Sequence, residues 1–116
     1  VSKDQSMAEA IKEIDRGNLG ATLVVTEQDI LLGIITDGDI RRHLVSNTDI
    51  HGCSVETVMS KGPTTLQPDN LASQALTVME KNQITVLPIV NAVQKIRGVL
   101  HLHEILGKGA FKFNGK

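Results

Sequence analysis

The chain contains no tryptophan and no tyrosine, and only two phenylalanines, three prolines and one cysteine among its 116 residues. With so few aromatic side chains it has no platform on which the bases of a single-stranded nucleic acid could stack. A lone cysteine, Cys53, cannot close an internal disulfide, so the expected compartment is a reducing cytoplasm. No apolar run approaches the roughly 20 residues that a membrane-spanning helix needs. An excess of charge of either sign is also missing: 12 Lys and Arg against 13 Asp and Glu leave a net charge of −1. That balance supplies neither the basic face of a nucleic-acid binder nor a polybasic membrane anchor, so neither partner is expected. No phosphate-loop signature appears, and Ser54, Ser60, Ser73 and Cys53 lack the neighbours that would activate a nucleophile.

What remains is an ordinary globular composition with 41% hydrophobic residues. That is enough for one compact domain or two small ones without staples. The chain opens at Val1 without a methionine and reads as a piece of a longer polypeptide.

Sliding the chain against itself gives a match at a shift of 65, the distance from Gly33 to Gly98. Ile11 then falls on Leu76, Ile14 on Met79, Val24 on Ile89, Ile34 on Val99 and Ile40 on Ile105, with no gap. Identities are few, but the apolar pattern is shared throughout. Each copy begins with a helix, with Asp4 and Asp69 as the expected N-caps. Its apolar stripe is Met7, Ala10, Ile11 and Ile14 in the first copy and Leu71, Ala75, Leu76 and Met79 in the second. Two β-rich runs follow in each, 21–25 and 31–36, then 85–90 and 96–101, with polar connectors between them. A second helix closes each copy, from about Asp39 to Val45 and from about His103 to Leu106. The second copy also shows an apolar turn from Val55 to Met59 and a strand around Thr64 to Leu66. By the same shift Leu66 matches Val1, so the first copy lacks that opening strand. The expected division is a first repeat over 1–46, a linker over 47–54, a second repeat over 55–107 and a tail over 108–116. The fold class is α/β, with two β-α-β-β-α units. Met7, Met59 and Met79 read as core filler.

The order turn, strand, helix, strand, strand, helix, with Gly-Ile-Ile-Thr-Asp-Gly-Asp at 33–39 and Leu-Pro-Ile-Val at 87–90, resembles the CBS domain. The resemblance implies a tandem pair related by a pseudo-twofold axis, with a cleft between the copies that takes adenine nucleotides or other nucleotide-bearing ligands. It also implies association of two chains into a homodimer or a higher homo-oligomer. Narrower still, Asn18-Leu19-Gly20, the run from Thr36 to Arg42 and the run from Gly98 to Leu106 are similar to the C-terminal region of bacterial D-arabinose 5-phosphate isomerases. Those enzymes join an N-terminal sugar isomerase domain to a CBS pair and make the pentose phosphate used for the eight-carbon acid Kdo of lipopolysaccharide or capsule. CBS pairs of sugar-phosphate nucleotidyltransferases carry a run like that from Thr36 to Arg42, and the His-Leu-His-Glu segment at 101–104 favours the isomerases. The tail, with Phe111 and Phe113, departs from their short ending.

The first candidate site follows from residue chemistry. Thr36 at a strand end and Asp39 at a helix start lie close together and face one ligand. A hydroxyl and helix N-terminal amides suit a phosphate, and a carboxylate suits the paired hydroxyls of a ribose. Asp39 equally suits helix capping and Asp37 a turn, so both readings stand. Arg42 can pair with phosphate or belong to a solvated helix face. The half-site expected in the first copy adds Gly20, Ala21 and Thr22. In the second copy the shift places His101 at Thr36 and Glu104 at Asp39, and its half-site adds Thr64, Thr65, Val86, Leu87 and Pro88, with His103 beside them. His101 and His103 sit two apart and point to opposite sides of a continuing strand, and no third ligand is evident, so no metal is expected. No cofactor and no catalytic residue are expected in this chain; the regulatory ligand is AMP, ATP or, by pathway logic, CMP-Kdo. The alternatives are the CBS pair of a sugar-phosphate nucleotidyltransferase and a purely structural module that organises oligomers.

Overall fold

The stripe of Met7, Ala10 and Ile14 becomes the buried face of an 11-residue helix, α1 (Met7–Gly17). The structure, a computed structural model, describes residues 1–17, 20–46, 49–70 and 72–102. Its chain divides into two compact units, Val1–Pro63 and Thr64–Lys116. Ser6, not Asp4, caps α1: its hydroxyl accepts the Glu9 N–H at 3.4 Å and its carbonyl accepts from Glu9 and Ala10. Asp4 lies in the turn ahead of it, too early to reach the free amides.

After α1 the first unit continues with β1 (Ala21–Val25) and β2 (Leu31–Thr36), antiparallel from Ala21 opposite Thr36 to Val25 opposite Leu31. The next helix, α2 (Asp37–Ser46), starts two residues earlier than the sequence suggested. The run read as an apolar turn is a single helical turn, α3 (Val55–Val58), and it buries both valines. A two-residue strand, β3 (Ser60–Lys61), then pairs with the outer side of β2. Met7, Ala10, Ile14, Val24, Ile35, Ile50, Val55 and Val58 form the core of this unit. The segment 55–63, part of the second copy by sequence repeat, therefore packs with the first. Cys53 lies at the edge of that core, with Sγ 3.3 Å from His43 Nε2. Gly33 is required where it stands, because a Cβ there would lie 2.7 Å from the Ser60 carbonyl oxygen and 2.8 Å from the Met59 sulfur.

In the second unit α4 (Ala72–Asn82) covers β4 (Val86–Val90) and β5 (Ile96–His101), paired from Val86 opposite His101 to Val90 opposite Ile96. Ala75, Met79 and Leu87 form its core, with Leu66, Leu76, Ile84 and Leu100 around them. The strand expected at 64–66 is reduced to one bridge, Leu66 to Ile89. Leu66 donates to the Pro88 carbonyl at 3.0 Å and accepts from Val90 at 2.9 Å, and Pro88 has no N–H with which to extend the ladder. Val1 does the same in the first unit, donating to the Leu23 carbonyl at 2.8 Å and accepting from Val25 at 2.9 Å. In the second copy the opening element is thus one residue long among the described residues.

The shift of 65 survives at the level of individual hydrogen bonds. In the β1–β2 turn Thr26 Oγ1 accepts from Gln28 and Ile30, and Asp29 sits at φ 65°. In the β4–β5 turn Asn91 Oδ1 accepts from Val93 and Lys95, and Gln94 sits at φ 67°. A bulge follows at Val24/Val25 and at Ile89/Val90.

Candidate ligand site

The corner from β2 into α2 carries the polar centre of the first unit. Thr36 ends the strand and caps the helix: its Oγ1 accepts the Asp39 N–H at 3.2 Å, while the Asp39 Oδ2 accepts the Thr36 N–H at 2.9 Å. This reciprocal pair is a capping box with aspartate in place of glutamate. The Thr36 hydroxyl also donates to Oδ2 at 3.1 Å. Oδ1 accepts from Ser60 Oγ at 2.7 Å and from Arg42 Nη2 at 2.6 Å. Asp39 is 7% exposed and is the buried residue of α2. Burial pushes its carboxyl pKa up, and the hydrogen bonds from Ser60, the Thr36 backbone, Arg42 and the Thr36 hydroxyl outweigh burial and hold it below the ordinary carboxylate range. The group is an ionised, fully engaged carboxylate at neutral pH.

Strand pairing brings the other first-copy candidates alongside. Ala21 is the register partner of Thr36 and Thr22 that of Ile35. The Asp37 N–H donates to the Gly20 carbonyl at 3.1 Å, tying the start of β1 to the start of α2. Gly20 holds φ 73°, and a Cβ there would lie 3.3 Å from Asp37 Oδ2, so glycine suits both its conformation and its neighbour. Asp37 itself is exposed. Gly20, Ala21, Thr22, Thr36, Asp37, Asp39 and Arg42 therefore share one end of this sheet. The empty side of Gly38 is taken by Arg42, whose Nη1 lies 3.2 Å from the position of a Cβ.

In the second unit the same frame carries different side chains. The Leu102 N–H donates to the Thr85 carbonyl at 2.8 Å, as Asp37 does to Gly20. His101 is buried at 9% exposure beside its partner Val86. Leu87 and Pro88 are enclosed in the interior. Thr64 and Thr65 are half-buried ahead of the Leu66 bridge. His103 and Glu104 lie outside the described residues. An open apolar groove of about 500 Å³ runs along α4, lined by Leu76, Met79, Ile84 and Leu102 among others, and contains none of the candidate ligand residues.

Ser60 is the residue that sequence reasoning missed. It stands 21 residues beyond Asp39, on a strand too short to show a period, and reaches the carboxylate only through the register of Ile34 opposite Ser60. Gly33 was the available signal, since a glycine inside a strand marks close approach of another backbone.

Two half-alike units, each with a hairpin whose far end is tied back to the residue before its first strand, are what a CBS pair looks like. The CBS domain model matches residues 1–46 and 55–110, and the chain belongs to the CBS domain family. Within it, the chain is similar to the arabinose 5-phosphate isomerase KdsD. It is 38% identical over 104 residues to that of Pseudomonas aeruginosa, covering 90% of this chain and 32% of the relative. It is 37% identical over 109 residues to that of Yersinia pestis, covering 94% and 33%. The chain thus spans about a third of the length of these relatives. Among solved structures, a CBS domain protein of Pyrobaculum aerophilum complexed with AMP superposes with a TM-score of 0.85 at 16% identity, over 98% of this chain and 87% of that one. A CBS domain pair in complex with 5′-methylthioadenosine and S-adenosyl-L-methionine superposes with a TM-score of 0.80 at 25% identity, over 99% and 88%. Among the described residues no helix is long and apolar enough to cross a membrane.

Proposed function

We propose that this chain is the regulatory, nucleotide-binding module of a D-arabinose 5-phosphate isomerase that serves Kdo synthesis. The observation that carries the reading is the buried Asp39 carboxylate, fixed by the Thr36 capping box beside Gly20, Ala21 and Thr22. A carboxylate at the foot of a helix faces ribose hydroxyls, and the α2 amides with Arg42 face phosphate. Likeness to KdsD over about a third of that enzyme supports a sugar isomerase domain on the same polypeptide, and the AMP and S-adenosyl-L-methionine complexes of related folds support a nucleotide as the ligand. The parent works in the cytoplasm as a homodimer or higher homo-oligomer. His101, His103 and Glu104 give the second copy a different preference from the first, and the nucleotide-sugar CMP-Kdo is a candidate beside AMP and ATP.

Calorimetry of the chain against AMP, ATP, CMP and CMP-Kdo tests this. Binding of at least one, weakened by Asp39→Asn, is the expected result. One observation favours a second reading: every acceptor position of Asp39 is already filled from within the chain. If none of the four gives heat at millimolar concentration, the module is structural and organises the oligomer of its parent.

A further inference from the structure

Asp39 divides its hydrogen bonds between two kinds of donor. Oδ2 is held by Thr36 alone, through the N–H and the hydroxyl at 2.9 and 3.1 Å. The N–H bond is part of the strand-to-helix corner, and the hydroxyl oxygen is itself held there by the Asp39 N–H at 3.2 Å. Oδ1 is held by side chains that can turn away, Ser60 Oγ at 2.7 Å and Arg42 Nη2 at 2.6 Å. Ser60 is exposed, and the Arg42 side chain is 67% exposed. A carboxylate offers about four acceptor positions, and here all four are taken. A ligand hydroxyl therefore reaches Asp39 only by displacing a donor, and the displaceable ones sit on Oδ1.

Of these two, Ser60 has a second tie. It is the register partner of Ile34, and β3 consists of Ser60 and Lys61 alone. Gly62 follows at φ 58° and Pro63 ends the unit. A side-chain bond to Asp39 thus adds to the two register pairs that hold so short a strand.

Resting on the nucleotide reading above, we propose that Ser60 is a latch on Asp39: it occupies Oδ1 in the ligand-free chain, gives way to a ribose hydroxyl, and passes its release to β3 and the connector that follows. Ser60 is a positioning residue in this scheme, acting through the Asp39 carboxylate. Arg42, the charged group that faces Asp39, turns outward in the same step toward the ligand phosphate. Binding at the first corner then loosens the pairing of β3 with β2, so the segment leading to Thr64 senses ligand without touching it.

The test uses this chain, Ser60→Ala and Ser60→Thr, each titrated with AMP, ATP, CMP and CMP-Kdo by calorimetry and by amide and carboxyl NMR. Ser60→Ala removes a competitor, so the ligand that binds is expected to bind about three- to tenfold more tightly, the worth of one net hydrogen bond. Ser60→Thr keeps the donor and restores the original affinity. In the free Ser60→Ala chain the Asp39 carboxyl titrates at higher pH than in the parent chain, and in the parent chain ligand shifts the Ser60 and Lys61 amides. Unchanged or weaker binding by Ser60→Ala, or an unmoved Asp39 titration, overturns the latch and leaves the nucleotide reading standing. Absence of binding by all three chains removes that reading and the latch with it.

Discussion

The two copies share a backbone and differ in chemistry. Their turns, bulges, opening hydrogen bonds and corner bonds coincide at a shift of 65, down to Thr26 and Asn91 accepting the same pair of amides. At the corner the copies part: Thr36 and Asp37 in one become His101 and Leu102 in the other. The first sheet also carries β3, whereas among the described residues the second has two strands. Backbone bonds tolerate any side chain that can make the turn, so the frame is copied faithfully. Ligand chemistry resides in the few side chains that the frame leaves free to vary.

The sharpest way to break the comparison is at its paired glycines. Gly33→Ala drives a Cβ into the Ser60 carbonyl and the Met59 sulfur and is expected to destabilise the first unit by about 1–3 kcal/mol. Gly98→Ala meets nothing within 4 Å among the described residues and should fall within about 0.5 kcal/mol of the parent. Urea denaturation of both variants measures the gap, and equal losses would mean that the second sheet is as crowded as the first.

Asp39→Asn comes next. It keeps the shape of the corner but puts an amide where Oδ1 or Oδ2 accepted two donors, at an expected loss of about 1–3 kcal/mol near neutral pH. The sign of its pH dependence follows from the lowered pKa. Because the folded carboxyl titrates below the ordinary aspartate value of 3.8, its stabilisation is fully present above that value and is lost as pH falls through the folded pKa. The parent chain should lose that contribution below pH 3.8 and the variant should not, which denaturation midpoints at about pH 7 and about pH 3 would reveal.

Smaller and symmetric effects are expected at the turns. Thr26→Ala and Asn91→Ala each remove an acceptor of two amides, and each should lower stability by about 0.5–1.5 kcal/mol. A large inequality in thermal melts would show that the matching bonds are not matching in energy. Arg42→Ala should change stability least, by under about 0.5 kcal/mol, because the pair is two-thirds exposed on the arginine side. Its effect belongs in nucleotide binding instead.

Much of this was legible in the residues, because period and repeat act locally. The run 31–36 is aliphatic and rich in β-branched residues, and it forms β2 with those bounds, whereas the helix cap at its end is Thr36 and not Asp39. The run 55–59 was legible as apolar but not as helix, since one turn shows too little of a 3.6 period. That it fills the core beneath α1 and not the copy it precedes depends on tertiary packing, which no local pattern encodes. Ser60 stayed hidden for the same reason. Its role exists only once β3 is set in register against β2, and the two are separated by α2 and a long connection. The cap of α1 was misread for a simpler cause: Asp4 and Ser6 both suit an N-cap, and only the fold decides which is opposite the free amides.

The short strand at the open side of β2 has a further consequence, for how the molecule behaves in a crowd. An uncovered strand edge invites the strands of other molecules to dock on it and grow. Here β2 is capped by a strand of two residues, one of them the charged Lys61, and the chain then turns away at Gly62 and reaches Pro63, which has no N–H to offer. A passing chain finds no ladder there long enough to join, so the first sheet does not grow on that side.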